Sequence, residues 1–253
     1  MNRSILQHLA PPSLQSADTL RLHLATKFDV VDKDVLIAGT KFSLLKVRDT
    51  NKLVDAIDPE TFAEDERLPY WADIWTSSLE LARWCLEEAD IKGKRVLELG
   101  CGLGLPGIAA AKAGARVVLS DYEQDALDFA RYNAVRNLSE EILSSNVTFL
   151  QLDWRNLLPS HLWLSHLPAL QKFDMIIAAD VVYERRNFFP LIDVLTKLLK
   201  PDGIAVITEP GRTIGEYFFN LLKEEHFHLA TSKHNVELDG KRSEVTRATI
   251  RNS

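Results

Sequence analysis

With 253 residues, a net charge of −6 and an isoelectric point near 5.7, the chain lacks the basic footprint that phosphate-backbone binding needs, so nucleic acid is disfavoured as a partner. No apolar run approaches the ~20 residues of a membrane span, and two cysteines, Cys85 and Cys101, complete neither a zinc site nor a disulfide framework. The expectation is one large soluble α/β unit in the cytoplasm, acting on a protein or a small molecule.

Taken in order, Leu20, Leu22, Leu24 and Phe28 suggest a helix over residues 14–28, after the Pro11-Pro12 breaker. The period then changes, and residues 30–37, 41–47 and 53–57 read as short strands, with Gly39 and residues 49–51 in the turns. Residues 1–67 thus form a small N-terminal helix and β extension, too short to bury a core alone, ahead of a cofactor domain over 68–253. Residues 1–17 carry no acidic side chain and no continuous apolar run; they read as a plain surface segment, with an organellar transit segment as the alternative. Over residues 68–89, Ser77 or Ser78 is placed to cap a helix whose apolar face runs from Leu79 to Leu86. Tyr70, Trp71 and Trp75 crowd just ahead of it; core packing is the ordinary use of such residues, but Trp75 stands where a pocket wall is needed.

The chain is organised around residues 96–121. An apolar run, Val96 to Leu99, gives way to Gly100, Gly102 and Gly104, then an alanine-rich segment and a second apolar run ending at Asp121. This is a strand, a tight turn, a helix and a second strand. Glycines without side chains let a ligand approach the main chain at a helix N-terminus, so the turn suits a nucleotide-like cofactor. Gly102, Gly104 and Gly107 also satisfy the dinucleotide fingerprint. Glu98, two residues before the first glycine, and Pro106, which removes an amide from the first helical turn, tilt the choice away from it.

The alternation continues with a helix over 123–137 and a strand over 147–152, then an irregular stretch to Lys172 and a strand over 175–179. A helix over 190–199, a Pro201-Asp202-Gly203 turn and a strand over 204–208 follow, then a helix over 213–225. Segments 229–238 and 244–250 read as strands joined at Asp239-Gly240, a hairpin signal. The expected fold is a doubly wound, mainly parallel seven-strand α/β sheet with an antiparallel last strand. In such a sheet ligands sit beyond the C-terminal strand ends. Those ends carry Glu98 to Gly104, Asp121, Asp153-Trp154, Asp180 to Tyr183, and Glu209. Glu209-Pro210 reads equally well as a turn, and His226, His228 and His234 have no metal-ligand spacing around them.

Glu98 with the three glycines resembles the E-x-G-x-G-x-G motif of the class I methyltransferases, and Asp180-Val181-Val182-Tyr183 resembles the D-x-x-Y signature of methyltransferase family 16. Pro69-Tyr70-Trp71-Ala72 and the segment from Ile74 to Ala82 are similar to the stretch preceding that branch's core. The resemblance spans roughly residues 68–209 and implies S-adenosyl-L-methionine as cofactor and protein lysine as acceptor. With the strand-end residues and Trp75, the expected cofactor site is Trp75, Glu98, Gly100, Gly102, Gly104, Asp121, Asp153, Trp154 and Ala179. The resemblance implies that the glycine turn packs along the methionine part of the cofactor and that Asp121 accepts from both ribose hydroxyls, a helix N-cap being the other reading of Asp121. From their place at a strand end, Asp153 can accept from the adenine amino group and Trp154 can cover the ring, with core packing an equal reading for Trp154. Asp180 would orient the acceptor amine, and Tyr183 would wall its channel. A small-molecule amine methyltransferase, or a cofactor-binding interaction protein without turnover, are the alternatives.

Overall fold

The computed structural model describes residues 17–57, 68–156 and 172–252; readings made for residues 1–16, 58–67 and 157–171 lie outside them. Five strands, β3 (Arg95–Leu99), β4 (Arg116–Asp121), β5 (Val147–Gln151), β6 (Phe173–Ala179) and β7 (Leu199–Glu209), run parallel. The hairpin β8 (His228–Leu238) and β9 (Lys241–Arg251) completes a seven-stranded sheet of order β5-β4-β3-β6-β7-β9-β8, in which β9 is antiparallel to both neighbours. Asp239 (φ 53°) and Gly240 (φ 76°) make the left-handed turn that a two-residue hairpin demands.

The central strands are buried on both faces, as a parallel sheet covered by helices requires. Side-chain alternation sends Val96, Val117 and Leu119 into one apolar layer and Leu97, Leu99 and Val118 into the other. The first layer is closed by α1 (Ala17–Lys27), α3 (Thr76–Glu87), α4 (Leu105–Lys112), α5 (Gln124–Asn137) and α6 (Glu140–Asn146). The second is closed by α7 (Phe188–Leu198) and α8 (Thr213–Glu224). No helix among the described residues is long and apolar enough to cross a membrane.

The extension forms a two-stranded antiparallel sheet, β1 (Val30–Ile37) with β2 (Thr40–Val47), and its Phe42, Leu44 and Leu45 join the first layer. Buried Asn133 on α5 is the clasp. Its side chain accepts from Leu45 N–H at 2.7 Å and donates to Leu103 O at 3.0 Å, so one amide ties the extension to the glycine turn.

Four local expectations are corrected. Residues 53–57 are not a strand: α2 (Thr50–Asp55) forms instead, because Asp49 accepts from Asn51 N–H and caps it. Neither Ser77 nor Ser78 caps α3, which begins after Trp75; Ser77 is fully buried in the helix, and Ser78 Oγ donates back to Trp75 O at 2.7 Å. The Pro201-Asp202-Gly203 turn is absorbed into β7, where the ladder with β6 shifts register between Phe173 and Met175. A short helix, α6, stands where none was expected, with Ser139 Oγ accepting from Ile142 N–H.

Candidate active site

The strand–turn–helix at the sheet centre builds one wall of an open cleft of about 330 Å³ at the C-terminal strand ends. Gly100, Gly102 and Gly104 all have positive φ, of 61°, 51° and 84°, which explains the spacing of glycines in the turn. A Cβ at Gly100 would come within 3.0 Å of Val181 and 3.3 Å of Trp154; one at Gly102 would meet Trp71 O at 3.2 Å.

Two buried carboxylates hold this turn in shape. Glu98 Oε2 accepts from Gly107 N–H at 3.0 Å and thereby anchors the first turn of α4; burial pushes its carboxyl well above the usual carboxylate range. Asp121 Oδ2 accepts from Gly102 N–H at 2.9 Å and Oδ1 from Glu123 N–H at 3.0 Å. Burial raises Asp121 to about 6 against the pull of those amides. Each of its oxygens keeps a lone pair for a further donor.

Gly107 shows how tight the arrangement is. A Cβ there would overlap Glu98 Oε2 and reach 2.9 Å from Leu119 Cγ, and Glu98 cannot retreat to solvent at 1% exposure. Gly107→Ala is expected to cost about 1–3 kcal/mol, the range for overpacking a filled core. A urea-unfolding midpoint lowered without a change in slope would register it.

The opposite wall comes from the segment before α3 and from the ends of β6 and β7. Tyr70 meets Tyr183 edge-on at 5.2 Å and Trp75 at 6.1 Å, and Trp75 Nε1 donates to Tyr70 O at 2.8 Å. Asp180 follows β6 with φ 58°, unusual for a residue with a side chain; its N–H donates to Thr208 O at 2.8 Å across the β6–β7 seam. Its carboxylate, 9% exposed, is pushed up by burial and pulled down by the Arg212 guanidinium, which donates to Oδ1 through Nη1 and lies 3.4 Å from Oδ2 through Nη2. Burial likewise pushes the Tyr183 phenol up to about 12.

Of the residues singled out in the sequence, Trp75, Glu98, Gly100, Gly102, Asp121, Trp154, Ala179, Asp180 and Tyr183 line the cleft together. Gly104 and Asp153 are not in its lining. Gly104 faces α5, where a Cβ would come within 3.0 Å of Ala130 Cβ, so its glycine serves helix packing. Asp153 lies in a small adjoining pocket and receives Arg155 through Nε and Nη2, both at 2.8 Å. Glu209 is buried outside the cleft lining and accepts from Arg212 N–H at 2.8 Å. Arg212 and Tyr70 are cleft residues that were not singled out. Tyr70 carried a signal in its aromatic neighbours; Arg212 carried none, since a lone arginine after a Gly reads as a solvated turn.

The cleft fits an adenosine-type cofactor bearing a compact amino-acid tail. Asp121 offers a buried two-oxygen acceptor, the glycines leave the main chain bare, and Trp154 presents an indole whose Nε1 is buried without an acceptor among the described residues.

The model of the family described as lysine methyltransferase matches residues 61–225. Protein N-lysine methyltransferase METTL21A of Danio rerio is 33% identical over 144 residues, 56% of this chain and 62% of that protein. Histidine protein methyltransferase 1 homolog of Dictyostelium discoideum is 28% identical over 160 residues, 62% of this chain and 47% of that protein. The chain therefore spans less than two thirds of either relative. Among solved structures, magnesium protoporphyrin IX methyltransferase from Synechocystis PCC 6803 shares the fold, with a TM-score of 0.52 at 19% identity over 81% of this chain and 98% of that one.

Proposed function

Because the chain belongs to the lysine methyltransferase family, we propose that it methylates a lysine side chain of a protein substrate with S-adenosyl-L-methionine as the methyl source. The observation that carries this reading is the meeting, in one cleft, of the Asp121–glycine cradle with Asp180 and its aromatic wall. When bound, the cofactor supplies a methyl group already activated by a sulfonium. Asp121 holds a diol, Gly100 and Gly102 admit the rest of the cofactor against the main chain, and Trp154 packs beneath. Asp180 accepts a hydrogen bond from the acceptor amine and aims its lone pair, and Tyr70, Trp75 and Tyr183 exclude water around the alkyl stem. Orientation and desolvation are what these residues add, since a neutral amine needs no covalent help.

A protein acceptor is favoured by the rim. Tyr70 and Trp75, which line the cleft, are 42% and 37% exposed. Exposed aromatics beside a cleft mark a contact surface. In this reading residues 68–253 are the catalytic domain, and the extension of residues 1–67 braces the glycine turn through Asn133 and contributes to substrate choice. The buried free thiols of Cys85 and Cys101 support a cytoplasmic location, and the net charge of −6 supports a partner other than nucleic acid.

The deciding experiment incubates the purified chain with radiolabelled S-adenosyl-L-methionine and a size-fractionated lysate of the source organism. The expected result is label in a discrete protein band, released as methyl-lysine on hydrolysis. Label confined to the small-molecule fraction would transfer the reading to a metabolite amine. Cofactor binding without any transfer would leave a non-catalytic binding protein.

A further inference from the structure

The Asp180–Arg212 pair is a second feature of the cleft that neither wall explains alone. Methyl transfer requires that an acceptor ammonium first give a proton to solvent. The freed lone pair then forms the N–C bond while the S–C bond breaks, its electron pair staying on sulfur. A bare carboxylate beside the acceptor would work against the first event, because it would hold the ammonium in an ion pair with no lone pair to use. Resting on the reading of this cleft as an amine-methylating site, we propose that Arg212 is a positioning residue that neutralises Asp180, so that the cleft takes its acceptor as the free amine.

The geometry suits that role. Arg212 Nη1 engages Oδ1 of Asp180 and Nη2 lies 3.4 Å from Oδ2, leaving the carboxylate lone pairs for an N–H of the neutral amine. A guanidinium keeps its charge at any working pH and reaches both carboxylate oxygens at once. Arg212 is set in place by its backbone: Gly211 turns the chain with φ 76°, Glu209 Oε2 takes the Arg212 N–H at 2.8 Å, and Arg212 O receives Gly215 N–H at 2.9 Å. The charged and titratable groups that share the cleft with Asp180 are Arg212 from the loop after β7, Tyr183 and Glu184 from its own loop, Glu98 and Asp121 from the ends of β3 and β4, and Tyr70 and Asp73 from the segment before α3, with Glu209 beside them at the end of β7. Of these only the guanidinium is positive. The Arg212 side chain is 39% exposed, methionine keeps its unbranched stem, and the backbone bonds to Glu209 and Gly215 do not depend on the guanidinium.

Arg212→Met and Arg212→Lys test this, with two readouts. With S-adenosylhomocysteine saturating, binding of n-butylammonium and of n-butanol at pH 7 is followed by ligand-observed NMR. Arg212→Met is expected to hold n-butylammonium about tenfold more tightly with n-butanol unchanged, the same factor that one pH unit represents in a protonation equilibrium. In label transfer to the methylated protein band, the acid limb of kcat in Arg212→Met should move up by about one pH unit and KM should fall. The variant should converge on wild type at high pH, while Arg212→Lys stays near wild type at neutral pH. If n-butylammonium binds no more tightly to Arg212→Met, or kcat falls by the same factor at every pH, the role is overturned. A wild type that labels no amine would instead remove the functional reading, and the n-butylammonium comparison would still report the charge of the subsite.

Discussion

Asp180→Asn is expected to lower methyl transfer by about 10²–10³-fold, the loss seen when one preorganised polar group at a reacting centre is removed, while S-adenosylhomocysteine affinity stays within about twofold. Asparagine is the informative replacement. It tolerates the φ of 58° that Asp180 adopts, so the loop need not rearrange, and its single oxygen goes to the Arg212 guanidinium, which leaves the amine facing an NH2 group in place of an acceptor. Alanine at the same position would add a strain of ~1–2 kcal/mol and confuse orientation with folding. The Arg212 guanidinium is 39% exposed and can be solvated where it loses a carboxylate oxygen, so the defect should be confined to the acceptor side of the cleft. Single-turnover label transfer at saturating cofactor, paired with calorimetric titration of S-adenosylhomocysteine, separates the two sides. A variant that transfers label at the wild-type rate would take Asp180 out of the mechanism.

What the sequence disclosed about this site follows from which constraints are local. The glycine turn was legible because Gly100, Gly102 and Gly104 need positive φ, and that need is written into residue type. Asp121 was legible because a carboxylate closing an apolar strand about twenty residues on falls at the same sheet rim. The hairpin at Asp239-Gly240 was legible for the same reason as the glycine turn. Short elements were not: residues 53–57 are apolar enough for a strand, and only the Asp49 cap decides for α2. In α6 the run Ser144-Ser145-Asn146 reads as loop, though Ser139 caps it from in front. Asp180 and Arg212 lie 32 residues apart, and nothing local couples them. They meet because β6 and β7 are parallel neighbours in register from Met175 with Ile204 to Ala179 with Thr208, which delivers both strand ends to one rim. Gly104 and Asp153 mark the converse case. Their residue types fit a cofactor site, yet Gly104 packs on α5 and Asp153 sits in the adjoining pocket with Arg155, placements that spacing in the sequence does not distinguish from the cleft lining.

Cofactor affinity should depend on Asp121 more than on any other side chain, and with a distinctive pH profile. Asp121→Ala removes the acceptor for a diol and also frees Gly102 N–H and Glu123 N–H, which set the turn and the start of α5. Hydrogen bonds to a charged group are worth about 1.5–3 kcal/mol each, so the loss of two to a ligand predicts binding weaker by roughly 10²-fold or more. In the free protein the Asp121 carboxyl is raised to about 6 by burial. Hydroxyl donors and a sulfonium both prefer the anion, so a proton on Asp121 competes with the cofactor. The sign follows: affinity is level above about pH 7, declines as pH falls through about 6, and declines by up to tenfold per unit below that. Asp121→Asn takes up no such proton. Its affinity should start about tenfold lower at pH 7.5, because one amide donor now meets an NH2 group, and should then stay flat to pH 5. Calorimetric titrations of S-adenosyl-L-methionine at pH 5, 6, 7 and 8 on both proteins make the comparison, and parallel profiles would assign the titration to a group other than Asp121.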